Sequence, residues 1–128
     1  MDDFDQAIDA ILTRDPRYGR GAYHFLREAL DYSQEKLLKS AGKGRHLTGQ
    51  ELLQGIREYA LQQFGPMTLT VFDDWGIHSC PDWGEIVYHL IDQKILSKTD
   101  TDSKSDFASV YDFQEVFRQP FLPAGGQG

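Results

Sequence analysis

The segment Thr48-Gly49-Gln50-Glu51, followed by Leu52, Leu53, Ile56, Tyr59 and Ala60, leaves the chain little choice over what to form there. A threonine hydroxyl accepts the amide three residues on, and a glutamate at that place reaches back to the threonine's own amide, so two donors that open a helix are satisfied. The apolar residues behind it recur three and four apart, the stripe of one helical face. Gly65 ends that helix, and Pro66 suits the first position of another.

The same logic extends in both directions. Phe4, Ile8, Ile11 and Leu12 recur at helical spacing between Asp2 and Thr13, with acids in the first turn where the helix dipole favours them. Asp15-Pro16 stops that helix, because a residue before proline is pushed out of the helical region. A second helix is read from about Ala22 to Ser40, with Tyr23, Leu26, Leu30, Leu37 and Leu38 as its inner face, and Gly42-Lys43-Gly44 breaks it. After Pro66, Leu69, Phe72 and Trp75 favour a short helix, although the run Thr68-Leu69-Thr70-Val71 makes a strand the competing reading.

A fifth helix begins at Cys80-Pro81 and carries Trp83, Ile86, Val87, Leu90 and Ile91 towards Lys94. Ile95–Lys98 and Phe107–Tyr111 flank a polar stretch and predict a short β-hairpin; Asp112 to Phe117 predicts a last helical turn. The fold class expected is therefore mainly α (α+β), about five helices with a hairpin near the C-terminus, in an order resembling the second half of a winged-helix domain. Residues 1–119 are read as one globular domain and 120–128 as a Pro/Gly-rich tail.

Composition narrows the function classes. With 128 residues, 40% of them hydrophobic and 12% aromatic, the chain can bury a core without disulfides, and its one cysteine, Cys80, allows none. No apolar run reaches the roughly 20 residues a bilayer needs, and the acidic start lacks the positive charge of a signal peptide, so a cytoplasmic protein without membrane contact is expected. The net charge of −7 has the wrong sign for phosphate contacts. The fifth helix, with Asp82, Glu85 and Asp92 against Lys94, argues against nucleic acid even if the shape is winged-helix-like.

Chemistry-bearing residues are few. Cys80 at a helix start, with His78 two residues away, is the sharpest catalytic candidate, since a helix N-terminus can favour the thiolate; Asp82 opposes it, and a buried structural thiol is the plainer reading. His78 and Cys80 with Asp73 and Asp74 have zinc-ligand chemistry but match no ligand spacing. Glu85 and His89, one turn apart, read as a surface pair. Asp100, Asp102 and Asp106 alternate like a calcium loop, but Lys104 interrupts them and no central glycine or closing glutamate follows.

The only basic segment, residues 14–45, contributes Arg14, Arg17, Arg20, Lys43 and Arg45, which with Tyr18 and His46 would form a binding patch if the turns flanking the second helix lay close together. Phosphate-loop, dinucleotide, Ser-His-Asp and two-His zinc-protease signatures are absent. No cofactor and no metal are expected.

Taken together, Asp15-Pro16-Arg17-Tyr18, Ala22-Tyr23-His24-Phe25, His46-Leu47-Thr48-Gly49-Gln50-Glu51-Leu52, Phe64-Gly65-Pro66-Met67, Trp75-Gly76-Ile77, Asp82-Trp83-Gly84-Glu85-Ile86-Val87 and Tyr111-Asp112-Phe113 form a specific set. Over positions 4 to 117 the chain resembles the small uncharacterised Verruc_Plancto family of planctomycetes and verrucomicrobia. The resemblance implies a bacterial, cytoplasmic protein and transfers neither an activity nor a site residue. The reading reached is a non-enzymatic protein-interaction domain, self-associating or binding another protein. The alternative is a small enzyme or ligand-binding protein centred on His78, Cys80 and Asp73/Asp74.

Overall fold

The computed structural model describes residues 3–41, 48–96, 107 and 110–118. Helix α1 (Asp3–Arg14) has Asp3 and Asp5 in its first turn and buries Phe4, Ala7, Ile8 and Ile11. A turn then leads into α2 (Arg20–Ala41), a helix of 22 residues. On α2, Tyr23 and Leu26 are fully buried as the periodicity predicts, but Leu38 is 52% exposed. The apolar stripe stops mattering there because α2 runs about 32 Å from end to end and outlasts the core beneath it. Phe25, outside the predicted inner face, is buried because α2 is covered on a second side, its ring 5.4–5.8 Å from those of Tyr59, Phe64, Phe72, Trp75 and Trp83.

The capping box at the start of α3 (Gly49–Phe64) forms as expected, with Glu51 N–H donating to Thr48 Oγ1 (3.1 Å) and Thr48 N–H to Glu51 Oε1 (3.0 Å). α3 packs closely on α2 where Gly55 meets Ser33: a Cβ at Gly55 would fall 1.7 Å from Ser33 Oγ. The Ser33 hydroxyl, buried in that contact, donates to Ala29 O and so leaves nothing unsatisfied. Gly65 closes α3 at φ +51°.

A 3₁₀ turn, Gly65–Met67, leads into α4 (Thr68–Asp74), so the helix displaces the competing strand. Pro66 presets the entry, and the buried Thr68 hydroxyl bonds back to Gly65 O (2.7 Å) instead of facing a neighbouring strand. Gly76 follows at φ +83°, where a Cβ would sit 2.6 Å from Arg17 O. Together with the bond from Gly19 N–H to Trp75 O (3.0 Å), this close approach docks the α1–α2 turn on the α4–α5 connection.

α5 (Cys80–Asp92) buries Trp83, Ile86, Val87 and Leu90. Phe72, Trp83, Phe113 and Phe117 form the aromatic centre, with Phe72 5.2 Å from Trp83, 5.7 Å from Phe113 and 5.4 Å from Phe117. Buried residues of all five helices join one continuous cluster.

The expected hairpin is not seen. After α5 the chain turns at Lys94, and the amides of Ile95 and Leu96 both bond back to Leu90 O, so these two residues close a helix instead of beginning a strand. The polar tip with Asp100, Asp102, Lys104 and Asp106, and the rest of 97–106 and 108–109, lies outside the described residues. Among the described residues the chain is mainly helical and has no strand. Phe107 is buried against Gly84, where a Cβ would lie 2.8 Å from Phe107 Cβ. A π-type turn, Gln114–Arg118, stands where the last helical turn is predicted, burying Val116 and Phe117. The sequence-predicted tail lies outside the described residues, among which no helix is long and apolar enough to cross a membrane.

Candidate functional site

The polar residues converge most densely where the α1–α2 turn faces the outer side of α5. Pro16 forces α1 to end, which frees the Asp15 carboxylate to accept the Arg17 amide (3.2 Å) and to hold the Arg17 guanidinium through Nε (2.9 Å) and Nη2 (2.7 Å). The hydrogen bonds from Arg17 hold the Asp15 pKa down to about 2. Arg17 also reaches Glu85 Oε1 of α5 (3.4 Å) and lies 5.1 Å above the Tyr18 ring.

His89, one turn after Glu85, sits behind this pair. Its Nε2 is 3.3 Å from Asp15 Oδ2, and its Nδ1 is 2.9 Å from the hydroxyl of Tyr23, a fully buried α2 residue. With the Tyr23 hydroxyl donating to Nδ1, the neutral ring carries its proton on Nε2, on the side of the Asp15 carboxylate. Burial pushes the His89 pKa down against the opposing pull of Asp15, and burial pushes the Tyr23 hydroxyl up. With Nδ1 bonded to buried Tyr23 and Nε2 facing the Asp15 carboxylate, the group clamps the turn to α5.

In front of the clamp lies a cleft of about 380 Å³, with Ile11 and Tyr88 among its walls and Arg14, Asp92 and Gln93 at its sides. Arg14 and Asp92 make no ion pair among the described residues.

The structure distributes the other sequence-predicted residues differently. Arg17 joins the clamp, while Tyr18 is buried and donates to Asp82 Oδ1 (2.7 Å), and burial raises its pKa. Arg20 turns to α1, pairing with Asp9 and, at 3.7 Å, Asp5. The α2 helix separates Arg20 from Ala41 by about 32 Å, and Lys43, Arg45 and His46 lie outside the described residues.

Cys80 is 1% exposed, and its thiol donates to Tyr111 O (3.3 Å) inside the core. His78 and Asp73 are exposed and pair with each other (3.4 Å) beside a depression of about 420 Å³ that also touches Phe113 and Arg118, and Asp74 is exposed next to them. The thiol is thus not part of that surface. Asp82, read from sequence as opposing a thiolate, accepts the amides of His78 (2.8 Å) and Ser79 (3.2 Å) and caps α5. Among the described residues, no three His, Cys, Asp or Glu side chains are grouped to hold a metal ion.

Sequence reasoning missed the clamp. Glu85 and His89 are half-buried and each reaches beyond α5, Glu85 to Arg17 and His89 to Asp15 and Tyr23. The only local signal is Asp15-Pro16-Arg17, whose acid and base sit at the spacing of a turn.

A second surface feature is apolar. A groove of about 430 Å³ runs between α1, α2 and the end of α5, formed by Phe4, Leu26, Leu30, Leu90, Ile95 and Leu96. Asp3, Arg27 and Asp31 edge it, with Arg27 4.8 Å above the Phe4 ring. No protein family, no curated protein and no solved structure matches the chain.

Proposed function

We propose that the chain is a non-enzymatic, cytoplasmic protein-interaction domain that meets its partner through the groove between α1, α2 and the end of α5. The observation that carries this reading is the groove itself, where the apolar core continues outward through the half-buried Leu30, Ile95 and Leu96 between charged edges. The chemistry available elsewhere supports it. The Cys80 thiol is inside the core and His89 is held between Tyr23 and Asp15, so these two groups serve the fold.

The test compares affinity captures from the native host with three baits, the wild-type chain, Leu30→Glu in the groove and Leu38→Glu on the exposed far end of α2. Partners retained by wild type and Leu38→Glu and lost by Leu30→Glu support the proposal. Identical partner sets for all three, or no protein enriched by the wild type, overturn it. If Leu30→Glu melts at a lower temperature, Arg27→Glu at the exposed groove edge takes its place.

A further inference from the structure

The cleft in front of the His89 clamp brings together two charges that make no ion pair among the described residues. Arg14 is the last residue of α1 and Asp92 the last of α5, both are exposed, and both line the same cleft without pairing with each other or with any other described residue. The remaining charges there face opposite charges, since Arg17 pairs with Asp15 and Glu85, and His89 Nε2 lies 3.3 Å from Asp15 Oδ2. Among the described residues, one cation at the end of α1 and one anion at the end of α5 remain without an ion pair, in a cleft that Ile11 and Tyr88 also line.

The position of Asp92 strengthens the case. A carboxylate at the C-terminus of a helix faces the negative end of the dipole and works against helix stability, whereas Arg14 at the end of α1 suits it. An acid kept where it costs local stability, in a cleft and without an ion pair among the described residues, is the kind of local inconsistency found at functional positions. The C-terminus of α5 and the Asp92 carboxylate favour an ammonium, and the Arg14 guanidinium, which makes no ion pair among the described residues, favours a carboxylate.

From this arrangement we infer that the cleft binds a free α-amino acid with an apolar side chain, its carboxylate on Arg14, its ammonium at Asp92 and the end of α5, and its side chain against Ile11 and Tyr88. The volume of about 380 Å³ falls in the range of small-molecule sites. A ligand carrying one charge alone would leave either Arg14 or Asp92 without its partner while covering both. The site is separate from the apolar groove, and the inference stands whether or not the groove takes a protein.

The experiment titrates the isotopically labelled full chain with L-leucine, L-methionine and L-phenylalanine and follows the backbone amides. Isoamylamine, which lacks the carboxylate, and N-acetyl-L-leucine, which lacks the ammonium, are the paired probes. Saturable shifts confined to the amides of residues 14–17 and 88–93, with both single-charge probes at least about tenfold weaker, are expected. Arg14→Gln should weaken L-leucine about tenfold and leave isoamylamine unchanged; Asp92→Asn should weaken L-leucine similarly and leave N-acetyl-L-leucine unchanged. Both residues are exposed at helix ends, and the melting temperature checks that each variant is folded. Absence of saturable shifts up to about 10 mM, equal binding of a single-charge probe, or shifts mapping elsewhere overturns the inference.

Discussion

At the start of α5 the polar groups are tied into the fold by neighbours in sequence and by distant residues alike, whereas at its end Asp92 makes no ion pair among the described residues. Asp82 accepts the amides of His78 and Ser79 just before it and the hydroxyl of buried Tyr18, and the Cys80 thiol is turned inward to Tyr111 O. His89, nine residues after Cys80, depends on Tyr23, 66 positions away, and on Asp15, while Asp92 has no ion pair among the described residues. The first end is a joint, in which removing one group exposes others. The second is an open surface, in which side chains can be exchanged at small cost to the fold and at greater cost to whatever binds there.

The largest expected effect therefore lies at the start of the helix. Asp82→Ala removes the acceptor that caps α5, a loss of about 1 kcal/mol. It also strands the hydroxyl of Tyr18, a residue only 3% exposed, and a buried donor without an acceptor costs about 1–3 kcal/mol more. A total near 3 kcal/mol is expected from urea unfolding. Adding Tyr18→Phe to Asp82→Ala should recover part of the loss, because the stranded hydroxyl goes with it. A loss below about 0.5 kcal/mol would mean that the joint does not depend on this carboxylate.

The contrast also explains what could be read from the sequence. Thr48 and Glu51 announce their helix because both bonds of the capping box close within four residues, and Pro16, Pro66 and Pro81 mark boundaries because proline acts on its immediate neighbours. The five helices follow from such local signals. Cys80 drew attention through its closeness in sequence to His78, yet a helix start sends adjacent residues in different directions, and the thiol points inward while the imidazole stays outside. The His89 clamp could not be read, because three residues from three elements meet only once Gly76 lets the α1–α2 turn dock. The expected hairpin rested on β-branched and aromatic residues alone, and Ile95 and Leu96 satisfy that preference equally well by packing back over the end of α5.

A smaller effect, concerning a single proton, should appear at the clamp. The His89 pKa is lowered in the folded chain below its ordinary 6.5, so between the two values the unfolded chain binds the proton more readily. The contribution of His89 to stability is thus complete above about pH 6.5 and is lost as pH falls from there towards the folded value. Protonation of Nδ1 would also turn an acceptor into a donor facing the buried Tyr23 hydroxyl, which then has nowhere to give its own proton. Asp15, at about 2, contributes above its ordinary 3.8 and fades only below it, so its contribution is constant between pH 5 and 7. Unfolding free energies of wild type and His89→Gln at pH 7, 6 and 5 separate the cases. Glutamine keeps a donor and an acceptor but does not titrate, so the variant should show a shallower slope than the wild type. Parallel slopes would assign the acid sensitivity in this range to other groups.

The smallest effect has the opposite sign and belongs to the open end. Asp92→Asn removes a negative charge from the C-terminus of α5, where the dipole already places negative character, and breaks no ion pair among the described residues. A gain of about 0.5 kcal/mol is expected, enough to raise the melting temperature by roughly 2 °C in a chain of this size. The same change is the one that should weaken L-leucine, so stability and binding would move in opposite directions at a single residue, the trade-off expected when a side chain is kept for recognition against the preference of its helix. The matching change at the joint, Asp82→Asn, should lower stability, because an amide accepts the His78 and Ser79 amides less strongly than a carboxylate does. If Asp92→Asn instead destabilises the chain, the carboxylate is part of the fold, and the two ends of α5 are alike after all.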